Sequence, residues 1–136
     1  MTDPDLVAKK LALIETCVAD LRRLARPAAL AHDIKEERFV EHTLQVAIQA
    51  VLDVASHIVS DERLGEPDTQ RHLFDLLARG GWLAADLVVT MKQMAGFRNV
   101  LVHGYQSVDL VIVRDIVEHR LDDLLRFVAS VRARLR

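Results

Sequence analysis

The stretch FRNVLVHGY, Phe97 to Tyr105, places Arg98, His103 and Tyr105 within eight residues, with Asn99 beside the arginine. These are the parts needed to break an RNA strand without a metal ion. The ribose 2′-hydroxyl must lose a proton, the leaving 5′-oxygen must gain one, and the phosphorane between them must be stabilised. Histidine titrates near neutrality and can carry the protons. Arginine presents a planar fork of donors to non-bridging phosphate oxygens. One histidine per chain is sparse for both acid and base, so a homodimer that sets two such motifs across one groove would supply the second.

Geometry limits how these groups meet. Residues five apart lie about 140° from one another on an ideal helix, so an unbroken helix would aim Arg98 and His103 in different directions. Gly104 suits a helix C-terminus, and a turn there would bring the imidazole back toward the guanidinium. If the chain is then extended, His103 and Tyr105 project to one side. The spacing also suits a plainer arrangement, with a surface arginine, a helix-end histidine favoured by the dipole and a tyrosine packed at a loop.

Five helices must position this stretch. The first spans about Asp5 to Ala25, with Val7, Leu11, Ile14, Val18 and Leu21 on one face and Leu13, Cys17 and Leu24 widening it. It stops before Pro27. The second opens at Asp33, with Glu36 three residues on as a capping-box variant, and runs to about Ser60. Its apolar residues nearly encircle it, which predicts either a central helix or a subunit interface. A narrow polar stripe remains, including His42, Gln45, Gln49, Asp53 and Ser56; Gln49 and Asp53 either line the cleft or form a solvated edge.

The third helix covers about Thr69 to Ala78 and ends at Gly80-Gly81. The fourth begins near Trp82 and carries Leu87, Val88, Met91, Met94 and Phe97 inward. Ser107 or Asp109 caps the fifth, whose stripe is Ile112, Ile116, Leu121, Leu124, Leu125, Val128 and Val131. The expected architecture is a single all-α domain over residues 1–136, a five-helix bundle of up-and-down type.

Composition narrows the function. The chain has 136 residues, long enough to bury roughly two-thirds of its unfolded surface. It is 51% hydrophobic but only 4% aromatic, so the core is aliphatic. No apolar run approaches the roughly 18 residues of a membrane span, and the N-terminus lacks the order of a signal peptide; a cytoplasmic protein without a membrane partner is expected. A net charge of −2 argues against holding nucleic acid by bulk electrostatics and leaves a local site. Cys17 is alone, and the histidines show no zinc-ligand spacing, so neither a metal nor a cofactor is expected. Arg132, Arg134 and Arg136 read as a solvated C-terminal face, and Lys92 lies one and a half turns before Arg98.

RNVLVHGY resembles the R-x4-H-x-Y motif of the HepT toxins, a branch of the HEPN ribonuclease superfamily, with Arg98, His103 and Tyr105 on the motif positions and Asn99 on the polar one. The second helix, ERFVEHTLQVAIQAVLDVASHIVSD, and PDTQRHLFDLL before two glycines resemble the family's second and third helices, so the likeness covers nearly the whole chain. It implies an all-helical homodimer with two motifs at a shared cleft, acting as a metal-independent endoribonuclease toxin. It further implies an MntA-like minimal nucleotidyltransferase antitoxin that transfers AMP to the motif tyrosine, here Tyr105. An added phosphate beside His103 would repel an RNA phosphate. On this reading Arg98, Asn99 and His103 are catalytic. The alternative is a non-catalytic helical dimer that binds a nucleotidyltransferase or nucleotides, with Arg98 as an anchor.

Overall fold

Asp3 starts the first helix, accepting from the backbone N–H groups of Asp5 and Leu6, and α1 runs Pro4–Leu24. The computed structural model describes residues 2–103 and 108–135. After a single tight turn at Pro27–Ala29 come α2 (Ile34–Asp61), α3 (His72–Arg79) and α4 (Ala85–His103). The last stretch comprises α5 (Leu110–Asp115), a π-helical turn (Ile116–Arg120) and α6 (Leu121–Leu135), which follow one another without a gap. Every regular element among the described residues is helical, as expected, although the π turn divides the fifth helix.

The second helix is central. α1, α3 and α4 all pack against it, and Val40, Leu44, Ala47, Val51, Val54, Ala55 and Ile58 are buried. Its encircling apolar surface is therefore filled from within the chain. α2 also has the length and apolar content of a membrane span, but more than half of its most apolar window is covered by the rest of the bundle.

Asp33 caps α2 by accepting from Lys35 N–H and Glu36 N–H. The capping box is not closed in the expected way. Glu36 turns instead to the preceding connection, where its Oε2 accepts from Arg26 N–H at 2.6 Å. The carboxylate is buried and ties the start of the α1–α2 loop to the first turn of α2, satisfying a donor freed by the break before Pro27.

α1 lies antiparallel to α2, with Asp3 N–H 3.4 Å from His57 Nε2 at one end and Lys10 Nζ 3.1 Å from Asp53 further along. α6 closes the bundle. Arg132 grips Glu15 of α1 with two hydrogen bonds of 2.7 and 2.6 Å, Arg22 pairs with Asp122, and Arg126 reaches Asp86 of α4 at 2.8 Å. Arg134 lies over the Trp82 ring, 5.7 Å from its centroid. Arg132 and Arg134 are exposed, as expected of a solvated face, and also bridge elements. Inside, Phe74 of α3 meets Phe127 of α6 edge-on at 6.4 Å, a geometry that places a ring edge on a π face.

The reversal from α3 into α4 is made at Gly80-Gly81. Gly81 has φ +82°, which a side chain disfavours, and a Cβ at Gly80 would come within 2.8 Å of Leu64. Trp82 belongs to this turn, buried beneath Arg134, and α4 starts three residues later than expected. Three apolar expectations fail. Leu13, Leu24 and Ile112 are 38%, 49% and 45% exposed. They sit at the edges of stripes whose width is set by how far the neighbouring helix reaches. On the last helix the buried series runs instead through Val113, Ile116, Val117 and Leu121, across the π turn.

Candidate active site

α4 delivers the motif. Leu87, Val88, Met91, Met94, Ala95, Phe97 and Leu101 are buried along it, and this packing fixes where Arg98 and Asn99 leave the helix. Arg98 is half-buried. Its Nε is enclosed and has no hydrogen-bond partner among the described residues, while Nη1 donates to Asn99 Oδ1 at 3.5 Å. No carboxylate among the described residues pairs with this guanidinium. An arginine whose donors are partly shielded from water and uncommitted is suited to an incoming anion, because the charge-assisted bonds it can form are not yet spent.

His103 is the last residue of α4. Its side chain, together with Gly104, Tyr105 and Ser107, lies outside the described residues. Asp109 is the observed cap of α5, accepting from Val111 N–H at 2.9 Å.

Asn99 opens onto a cavity of about 620 Å³ between α4 and the start of α3. Thr69, Gln70, Arg71, His72, Asp75 and Lys92 complete its lining. Lys92 Nζ is 2.6 Å from Asp75, so its charge is matched. The proximity of Lys92 to the motif was visible in the sequence. The contribution of Gln70, Arg71 and His72 was not, because PDTQRH reads there as a turn and a helix start. α3 itself starts at His72, three residues later than expected, and Thr69 Oγ1 accepts from the His72 N–H at 3.2 Å.

Gln49 and Asp53 line a separate cavity of about 350 Å³ that shares Thr69 and Gln70 with the Asn99 cavity. Asp53 is fully engaged there, receiving Lys10 at 3.1 Å and Gln49 Nε2 at 2.8 Å.

Elsewhere, burial pushes the Cys17 thiol up, away from the thiolate a nucleophile would need. Burial, with the Glu37 carboxyl beside it, raises Glu41 to about 7. Among the described residues no group of three His, Cys, Asp or Glu side chains is gathered as metal ligands would be.

The ribonuclease HepT-like family model matches residues 14–131. The chain is 32% identical over 130 residues to the mRNA nuclease HepT of Shewanella oneidensis, covering 95% of this chain and 98% of that protein. It is 26% identical over 109 residues to the tRNA nuclease HepT of Aphanizomenon flos-aquae, covering 79% and 74%. Its fold is similar to that of the tri-AMPylated Shewanella oneidensis HEPN toxin in complex with MNT antitoxin, with a TM-score of 0.88, 31% identity and coverage of 96% and 99%. The chain belongs to the ribonuclease HepT-like family.

Proposed function

We propose that this protein is a metal-independent endoribonuclease toxin whose activity is silenced by AMP transfer from a nucleotidyltransferase antitoxin. The observation that carries the reading is the uncommitted Arg98 guanidinium on a helix that ends at His103, within a chain similar over nearly its whole length to HepT nucleases. Arg98 stabilises the phosphorane and Asn99 orients the guanidinium. His103 moves the proton between the 2′-hydroxyl and the leaving 5′-oxygen, so that cleavage leaves a 2′,3′-cyclic phosphate and a free 5′-hydroxyl. The two relatives are named for mRNA and tRNA, and the substrate class common to both is RNA.

Tyr105 is the acceptor for AMP. Its phenolic oxygen attacks the α-phosphorus of ATP, pyrophosphate leaves, and the new phosphodiester sets negative charge beside the histidine. The similarity to a tri-AMPylated toxin held by its antitoxin supports this role and the MntA-like partner. The protein acts in the cytoplasm as a homodimer. Support for self-association comes from α4 and α5, which expose Val89, Val100, Val111 and Ile112, the last of these lining a groove with Met94, Phe97 and Ile116.

The test is to incubate the purified protein with an MntA-type nucleotidyltransferase and ATP and follow intact mass and RNA cleavage together. Stepwise gain of AMP with loss of cleavage is expected. Unchanged cleavage by the fully modified protein would reject the regulatory reading.

A further inference from the structure

We propose that the cavity between α3 and α4 seats a single-stranded RNA segment next to the cleaved nucleotide, with Arg71 holding its phosphate. The inference rests on the nuclease reading above and adds the residues that grip the substrate.

Within this cavity charge pairing separates the basic residues, although exposed side chains elsewhere, such as Lys9 and Arg38, are also unpaired among the described residues. Across the bundle, Lys10, Arg22, Arg114, Arg120, Arg126 and Arg132 each have a carboxylate partner. Within the cavity Lys92 is likewise matched by Asp75 at 2.6 Å. Arg71 lines the same cavity and has no ion-pair partner among the described residues; it is exposed and makes no capping hydrogen bond. In a chain of net charge −2, Arg71 and Arg98 are therefore two unmatched guanidinium groups that meet one cleft, the second through Asn99. The Asp75 carboxylate paired with Lys92 disfavours phosphate there and leaves Arg71 as the anion-binding group.

The rest of the lining suits a base and sugar. Thr69, Gln70 and Asn99 offer a hydroxyl and two amides, which can both donate and accept. His72 Nδ1 accepts from Asp68 N–H at 3.1 Å, which leaves Nε2 as the ring nitrogen available to a ligand. Unpaired bases are read by such side chains on their exposed edges, and the 2′-hydroxyl adds a further partner. Because Asn99 contacts both the cavity and Arg98, a strand lying here enters the motif without leaving the protein surface.

The test is fluorescence anisotropy with a labelled, short single-stranded oligoribonucleotide of mixed sequence, using His103→Ala protein so that nothing is cut. Adding Arg71→Ala should raise Kd about tenfold, the loss of one charge-assisted contact, and flatten the salt dependence by about 0.7 in log–log slope. Arg71→Lys should restore the slope. Lys9→Ala removes the same charge from the exposed outer side of α1 and should change Kd by no more than about twofold. Equal effects of Arg71→Ala and Lys9→Ala, or no RNA binding at all, would overturn the proposal. Cleavage by the wild type is scored alongside. Cleavage with an Arg71-independent Kd would sink this inference and leave the nuclease reading standing; Arg71-dependent binding without cleavage would do the reverse.

Discussion

Arg98 Nη1 lies 3.5 Å from Asn99 Oδ1, while its Nε is enclosed without a partner among the described residues. The amide therefore steadies one edge of the guanidinium and leaves the other donors free. Arg98→Ala should lower the rate of RNA cleavage by about 10²–10³-fold, the usual cost of removing one donor from a charge-stabilising site. Arg98→Lys should recover only part of it, since a single ammonium cannot reproduce the planar fork. Circular dichroism should be unchanged in both. Full cleavage by Arg98→Ala would remove the residue from the mechanism.

Tyr105→Phe separates catalysis from control. The variant should cleave RNA as the wild type does yet gain no AMP from the nucleotidyltransferase, because only the phenolic oxygen is missing. Mass spectrometry after incubation with ATP reads this directly, and AMP on the variant would move the acceptor to another residue.

Glu36 gives a prediction about the scaffold alone. Glu36→Ala leaves Arg26 N–H without its 2.6 Å acceptor and should destabilise the fold by about 1–3 kcal/mol. Urea unfolding measures it. A midpoint equal to the wild type would show that the loop does not depend on this bond.

Glu41 supplies a dependence on pH. Its folded pKa, about 7, lies above the ordinary carboxylate value because of burial and the adjacent Glu37. The folded state thus holds this proton more tightly than the unfolded state. The group's effect on stability is favourable near pH 5 and fades as pH rises toward 7 and beyond. Glu41→Gln should accordingly raise Tm at pH 8 by roughly 3 °C and change it little at pH 5. An equal shift at both values would mean the carboxyl is not protonated preferentially in the fold.

Much of this was legible in the sequence, for reasons that can be named. The Asp33 cap, the stop before Pro27, the double glycine after α3 and the inward series on α4 each depend on local chemistry, and each is present. What could not be read depends on neighbours. Helical periodicity gives the direction of a buried face but not its width, so Leu13 and Leu24 on α1 emerge into solvent. The π turn at Ile116–Arg120 changes the residue count per turn just where Ile112 was assigned to the core. Glu36 serves Arg26 across a loop, a partner that no helix template contains. At the site, Arg98 and Asn99 stood out by type and spacing, whereas Arg71 and His72 join them only because α3 folds back against α4.

The central claim is that His103 moves the proton in a cleavage that needs no metal. The most direct measurement is RNA cleavage by the purified protein, confirmed unmodified by mass, in excess EDTA beside His103→Ala. The wild type should cleave and leave cyclic phosphate ends, with the variant slower by at least about 10²-fold and still folded. Full activity in His103→Ala, or a wild type that cleaves only when a divalent metal is restored, would contradict the account.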